Sequence, residues 1–229
     1  MSHLVIEDDP AGFRWLRLNR PDRRNALDLA LASDLRDALL ADPAMPLLLG
    51  STDPRVFCAG ADLSIPDAER SLVSELVYLC SELILARPGP VIAVLTGSAV
   101  GGGAQFAAAA DLRIAGPGAR LRWTGPPGAD LVVGAGLLPA LAGRGVAMDL
   151  MLTGRWLEAA EALALGVVSR LTDEPEALAV SIATDLARRP AQVERVKTVM
   201  AKDGLSDRLA LEGKTNGAAW KHLLARRDS

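Results

Sequence analysis

Short apolar runs alternate with amphipathic stretches along most of the chain. Leu4–Glu7 and Phe13–Leu18 read as two strands joined by a turn at Pro10-Ala11-Gly12. Asn19-Arg20-Pro21-Asp22 is a turn cluster. Leu31, Leu35, Ala38 and Leu39 recur at helical spacing and predict a helix over 28–41. Leu47–Gly50 reads as a buried strand. A second helix, over 68–86, stops at Arg87-Pro88-Gly89-Pro90. Val91–Leu95 is the clearest strand, because it is continuous, branched and bounded by Pro90 and Gly97. A helix is expected over 102–110 and a strand over 112–115. Short helices follow over 134–141 and 147–152. A helix over 158–165, closed by Gly166, leads into a strand over 167–171. Three helices, over 174–188, 192–201 and 205–225, finish the chain. Strands alternating with helices, then helices alone, imply a layered α/β core over 1–188 and a helical C-terminal region over 189–229.

Composition narrows this further. Half of the 229 residues are hydrophobic, so the chain can bury a large core without disulfides or metals. A formal net charge of −3 argues against a general nucleic-acid binder, which needs a basic surface. Cys58 and Cys80 form no CxxC pair, and His3 and His222 lie at opposite ends, so a zinc site is not expected. His3, Glu7, Asp8 and Asp9 replace the basic and apolar regions of a secretory signal, and a reducing cytoplasm is the natural compartment. The stretch 88–110 is uncharged, and a membrane helix needs about 20 such residues. Its glycines and alanines instead predict a buried strand, a glycine turn and a core helix.

Two glycine-containing turns could carry chemistry. The first is Val56-Phe57-Cys58-Ala59-Gly60-Ala61-Asp62-Leu63. The second, Gly97-Ser98-Ala99-Val100-Gly101-Gly102-Gly103-Ala104-Gln105, lies between a strand and an alanine-rich helix. Glycine lets a ligand approach the backbone, and a helix start leaves amide N–H groups unpaired. Such amides can hold a developing negative charge. The turn also suits plain strand–helix architecture. It is no phosphate P-loop, because no Gly-Lys-Ser/Thr follows, and the dinucleotide G-x-G-x-x-G spacing is absent.

Taken in order, these segments resemble the crotonase superfamily of enoyl-CoA hydratases and isomerases. Leu18-Asn19-Arg20-Pro21 with Arg24-Asn25-Ala26-Leu27 is similar to that family's first CoA-contacting loop. Phe57 to Leu63 resembles its first oxyanion loop, and Pro90-Val91-Ile92-Ala93 through Gly101-Gly102-Gly103 to Asp111 its second. Leu152-Thr153-Gly154-Arg155, Ala159-Ala160-Glu161-Ala162 and Leu165-Gly166-Val167-Val168 match its late signature. The resemblance spans nearly the whole chain. It implies an α/β spiral of ββα units with a helical C-terminal trimerisation region, assembled as a homotrimer or hexamer. It implies an acyl-CoA ligand and no cofactor besides the CoA of the substrate. The backbone N–H groups of Ala61 and Gly102 would form the oxyanion hole. Arg24, Ala26, Ala59, Asp62, Leu63 and Trp123 would contact substrate or CoA.

The acid/base pattern departs from the family. A hydratase of this kind carries a glutamate two residues after the glycine triplet, where this chain has Gln105. Glutamine orients groups but exchanges no proton at neutral pH. The second glutamate falls at Gly125 counting forward from Asp111 and at Trp123 counting back from Gly154. Neither is a carboxylate, so a simple isomerase is disfavoured too. Asp130 is the nearest downstream acid. It and Trp123 echo the aspartate–tryptophan pair of family dehalogenases, although a turn aspartate also reads as a helix cap or solvated charge. Cys58 reads as packing and Ser98 as a turn residue. The chain stops at Ser229, short of the family's usual final helix, which implies a more open acyl pocket. Three readings stay open: an acyl-CoA enzyme with unusual acid/base groups, an acyl-CoA binder without turnover, and another crotonase reaction using Asp130. A Clp-type serine protease is not favoured, because glycine stands where its serine would and neither histidine lies in a motif.

Overall fold

The computed structural model describes residues 2–126, 128–200 and 204–227. Its main sheet has six strands: β1 (Leu4–Asp9), β2 (Phe13–Leu18), β3 (Leu47–Ser51), β5 (Val91–Leu95), β7 (Leu112–Ala115) and β10 (Arg170–Leu171), adjacent in that order. β1 and β2 are antiparallel, and every other neighbouring pair is parallel. A second sheet joins β4 (Val56–Cys58), β6 (Ser98–Val100), β8 (Arg120–Arg122) and β9 (Leu157–Glu158).

The connectivity explains the two sheets. β3, β5 and β7 each feed a short strand of the second sheet and then a helix: β3–β4–α2 (Asp67–Ala86), β5–β6–α3 (Gly102–Ala109) and β7–β8–α4 (Leu138–Thr153). The successive ββα turns make the α/β spiral that the sequence resemblance implies.

The main sheet is buried on both faces, which is why β3 and β5 read as unbroken apolar runs. Leu47, Leu49, Val91, Ala93 and Leu95 point toward α1 (Leu29–Leu40), α2 and α3. Leu48, Ile92 and Val94 point the other way, onto Ala179 and Ala183 of α6 (Pro175–Ala187). α1 starts where expected, because the Asp28 carboxylate accepts the Leu31 amide at 2.8 Å.

Several expectations needed adjustment. The sequence puts β4 and β6 inside the two glycine turns, suggests no element at β8 and puts Glu158 of β9 at the start of a helix, since strands of two or three residues carry no period to detect. The two helices expected over 134–141 and 147–152 are both present within α4, joined by a kink at Gly143 whose φ 77° and ψ 159° are not helical, and the first starts at Leu138 rather than Gly134. Only Arg170 and Leu171 of the expected 167–171 strand pair with the sheet. Between these lies α5 (Ala159–Ala164). The chain ends in α7 (Pro190–Met200) and α8 (Leu205–Arg227). α8 folds back over α2 and buries Leu209 and Trp220. No helix among the described residues is long and apolar enough to cross a membrane.

Candidate active site

The two glycine turns meet at one place. Leu27 forms a parallel bridge with Ala61, through Leu27 N–H to Gly60 O (2.7 Å) and Asp62 N–H to Leu27 O (3.0 Å). A Cβ on Gly60 would stand 3.7 Å from the Gly101 Cα. Gly101 itself turns at φ 52°, and a Cβ there would meet Thr124 O at 2.8 Å. Only glycine fits that turn, which opens α3 at Gly102.

Asn25 ties these pieces together from below. It is fully buried. Its Nδ2 donates to Ser51 Oγ, Val56 O and Phe57 O, and its Oδ1 accepts the Arg20 amide. One side chain thus fixes the Arg20–Ala26 loop against β3 and β4.

Above the turns lies a cavity of about 300 Å³. Ala59, Gly60 and Ala61 line it from the first turn, and Gly101, Gly102 and Gln105 from the second. Val73, Val77 and Tyr78 of α2, Thr124 to Pro126, Leu131, and Asn216 and Trp220 of α8 close it. Among the described residues, neither the Ala61 nor the Gly102 N–H donates to a protein acceptor. The bridge to Leu27 uses the groups on either side of Ala61, Gly60 O and Asp62 N–H.

Gln105 is fully buried at the cavity wall, and neither atom of its amide has a hydrogen-bond partner. A buried amide without partners costs roughly 1–3 kcal/mol, so this is a position where a ligand or water has something to satisfy. No Asp or Glu lines the cavity among the described residues. The Cys58 thiol is pushed up to about 12 by burial, and it sits in the core as packing.

The structure gathers only part of the expected residue set. Ala59, Ala61, Leu63, Gly102 and Gln105 line the cavity. Arg24 is exposed beside it, held in a left-handed turn (φ 52°), and its carbonyl accepts the Ala59 amide. Ala26 is buried below the loop, and its carbonyl takes the Arg20 guanidinium.

Two expected residues are displaced. Trp123 does not line the cavity; it is buried under Gly134, where a Cβ would come 2.3 Å from the indole. Its neighbour Thr124 takes the cavity side, since adjacent residues of an extended chain face opposite ways. Asp130 is exposed at a left-handed turn (φ 49°), and the next residue, Leu131, turns inward instead. A carboxylate left in water avoids the cost of desolvation. The dehalogenase-like use of Asp130 therefore loses its geometric basis.

Asp62 also differs from its expected place near a ligand. Its carboxylate accepts Ser64 Oγ (2.6 Å), Ser64 N–H (2.9 Å) and Arg20 Nη2 (3.0 Å). Burial pushes its pKa up, but the Ser64 and Arg20 hydrogen bonds outweigh that and hold it below the usual aspartate range. A lowered native pKa means that the unfolded chain binds this proton more readily. The stabilisation is therefore present above the ordinary aspartate pKa of about 3.9 and is lost as pH falls through the native value. Urea denaturation of wild type and Asp62→Asn should show a larger stability gap at pH 7 than at pH 3. An equal gap at both would contradict this role.

Tyr78, Glu212, Asn216 and Trp220 were not anticipated. A signal existed: Leu209, Glu212, Asn216 and Trp220 share one face of α8, where two polar residues interrupt an apolar stripe. α8 thus covers the cavity that the length of the chain led us to expect more open.

Comparison with known proteins agrees with this architecture. A family model described as enoyl-CoA hydratase/isomerase matches residues 9–227. The (E)-benzylidenesuccinyl-CoA hydratase of Thauera aromatica is 33% identical over 230 residues, covering 92% of this chain and 84% of that protein. An enoyl-CoA hydratase structure from Bacillus anthracis superposes with a TM-score of 0.82 at 28% identity, covering 96% of this chain and 91% of that one. A monofunctional enoyl-CoA isomerase from M. smegmatis gives 0.76 at 27% identity, covering 90% and 94%. The chain belongs to the enoyl-CoA hydratase/isomerase family of the crotonase superfamily.

Proposed function

We propose that the cavity binds an acyl-CoA thioester, with the thioester oxygen between the N–H groups of Ala61 and Gly102. The observation that carries this reading is a pair of unsatisfied amides on adjoining glycine turns, at the wall of one cavity. They would stabilise the enolate oxygen that forms when a thioester loses or gains a proton at C2. Each such donor typically lowers a barrier by about 2.7–4 kcal/mol.

Gln105 would orient the acyl group or a water, and the exposed Arg24 would meet the CoA phosphates. The chemistry is enoyl-CoA hydratase/isomerase-like, with the usual pair of carboxylates missing. A binder without turnover is the second reading, favoured by a cavity wall without Asp or Glu among the described residues. No metal or other cofactor is required, and the CoA arrives as part of the substrate. The cytoplasm, the natural supply of acyl-CoA, is the proposed compartment. Self-association as a trimer or hexamer fits the family and the exposed Val196, Val199 and Met200 on α7. The 189–229 region would contribute to that assembly.

Calorimetry with acyl-CoAs of graded chain length tests the reading. Binding at micromolar to millimolar concentration is expected, with the free acids binding at least tenfold more weakly. No binding of any CoA ester at millimolar concentration would refute it.

A further inference from the structure

We propose that Tyr78, backed by Glu212, is the proton-transfer group of this cavity, acting on the carbon beside the thioester carbonyl. The proposal rests on the acyl-CoA reading above.

The first argument is elimination within the cavity wall. Its ionisable side chains, among the described residues, are Arg70, Tyr78 and Arg122. Arg70 is in an ion pair with Asp67, and the Arg122 Nε donates to Gly154 O at 2.6 Å. Guanidinium groups stay protonated in proteins and serve as neither acid nor base near neutral pH. Tyr78 remains.

The second argument is the network behind the phenol. Tyr78 Oη lies 2.9 Å from Glu212 Oε1. The same carboxylate accepts Gly134 N–H at 2.8 Å and also the Gly136 N–H. Asn216 settles the direction of the Tyr78 bond. Its Oδ1 accepts the Val132 amide at 3.0 Å, so its Nδ2 faces the tyrosine and donates to Oη at 2.6 Å. With one lone pair taken, the phenol O–H is free to donate, and Glu212 is the nearest acceptor. Val132 O, at 3.3 Å, is the weaker alternative. The side chain of Glu212 is almost completely buried, and burial pushes its carboxyl pKa up, toward that of a working base. Tyr78 is pushed up too, first by burial and then by the nearby carboxylate, so the phenol stays protonated until a proton moves.

The third argument is placement. The Tyr78 ring packs on α8 at Gly213, where a Cβ would come 3.2 Å from the ring. Its neighbour Val77 abuts Gly102, where a Cβ would come 3.3 Å from Val77 Cγ2. The phenol thus stands on a fixed helix, packed against α8, and forms part of the wall of the cavity that Gly102 also lines.

The step balances without a co-reactant. In a 3-enoyl thioester the C2–H bond breaks, and its electron pair forms the dienolate, with the oxygen held by Ala61 and Gly102. The C2 proton passes to Tyr78 Oη as the phenol proton passes to Glu212. Reversal of the relay returns a proton to C4, giving the conjugated 2-enoyl thioester and restoring both side chains. A single relay suffices, because isomerisation moves one proton out and one proton back.

The test measures conversion of 3-hexenoyl-CoA to its conjugated isomer by ultraviolet absorbance, with ligand binding measured in parallel. Wild type should turn over. Tyr78→Phe should lose at least about 10²-fold in kcat with KM and Kd within a few-fold of wild type, and Glu212→Gln should fall similarly. Gln105→Ala, in contrast, should move KM more than kcat. If Glu212→Gln does not fold, having lost a good acceptor for two amides, Tyr78→Phe alone decides, because its ring packing is unchanged. Wild type that binds the ester without isomerising it, or Tyr78→Phe that isomerises at the wild-type rate, would overturn the inference. Failure of wild type to bind any CoA ester would instead refute the acyl-CoA reading.

Discussion

Crotonyl-CoA hydration by the wild-type protein should be very slow, and Gln105→Glu should raise it at least tenfold. Hydration needs one group to take a proton from water and another to deliver a proton to C2. A positioned general acid or base typically contributes 10²–10⁴-fold. The wall where the family places its glutamates holds Gln105 and the Thr124–Pro126 segment. The amides of Ala61 and Gly102 should still polarise the thioester, so some rate above solution is expected. Losses of groups that act together need not multiply, but even one loss at the larger end makes a fast hydratase slow. Glutamate at position 105 would enter a fully buried site without partners for its oxygens. Burial would raise its pKa toward neutrality, which suits a general acid. Asp130→Asn should leave the rate unchanged, because Asp130 faces solvent. Initial rates from the loss of enoyl absorbance check all three. Fast hydration by wild type, or a drop in Asp130→Asn, would show that the proton carriers lie elsewhere.

How much of this was legible in the sequence depended on whether a residue's role was local. β3 and β5 announced themselves, because a parallel strand buried on both faces must be apolar throughout. The turns at Gly60 and Gly101 were legible for the same kind of reason, since glycine at a strand end marks a special backbone. The second sheet was not legible, because its short strands are defined by partners far away in sequence. Tyr78 and Glu212 are 134 residues apart, so although Glu212 interrupts the apolar stripe of α8, nothing in the sequence joins it to Tyr78. Trp123 and Asp130 show the reverse error. Their types suggested chemistry, but side-chain direction along an extended segment decided otherwise, turning Trp123 into the core and Asp130 to solvent. Asp62, which the family resemblance puts against CoA, has its carboxylate engaged by Arg20 and Ser64, partners that the sequence alone does not reveal.

Gly97→Ala should be among the most damaging small substitutions in the molecule, removing both stability and ester binding. Gly97 ends the passage from β5 to β6, with its backbone pressed against the residue before β4. A Cβ there would lie 2.0 Å from both the carbonyl carbon and the oxygen of Arg55, and 2.5 Å from Val56 N. Carbon atoms pack best at about 3.5–4.0 Å. The obstacle is main chain, so no change of rotamer relieves it. β6 must move away from β4, and the Ser98 N–H to Arg55 O bond (3.1 Å) goes with it. Overpacking typically costs 1–3 kcal/mol, and a clash with backbone on this scale should reach at least the upper end. The functional effect follows from what the two strands carry. β4 leads directly to Ala59–Ala61, and β6 leads directly to Gly101–Gly102. Prying them apart separates the two amides proposed to share one thioester oxygen, so even folded protein should bind acyl-CoA at least tenfold more weakly. Gly118→Ala provides the control, since a Cβ there makes only an ordinary 3.6 Å contact with Thr96 O. Urea denaturation and calorimetric titration of both variants check the prediction. Wild-type stability in Gly97→Ala would mean that β4 and β6 are not locked at this point, and wild-type affinity would separate the ester site from the two turns.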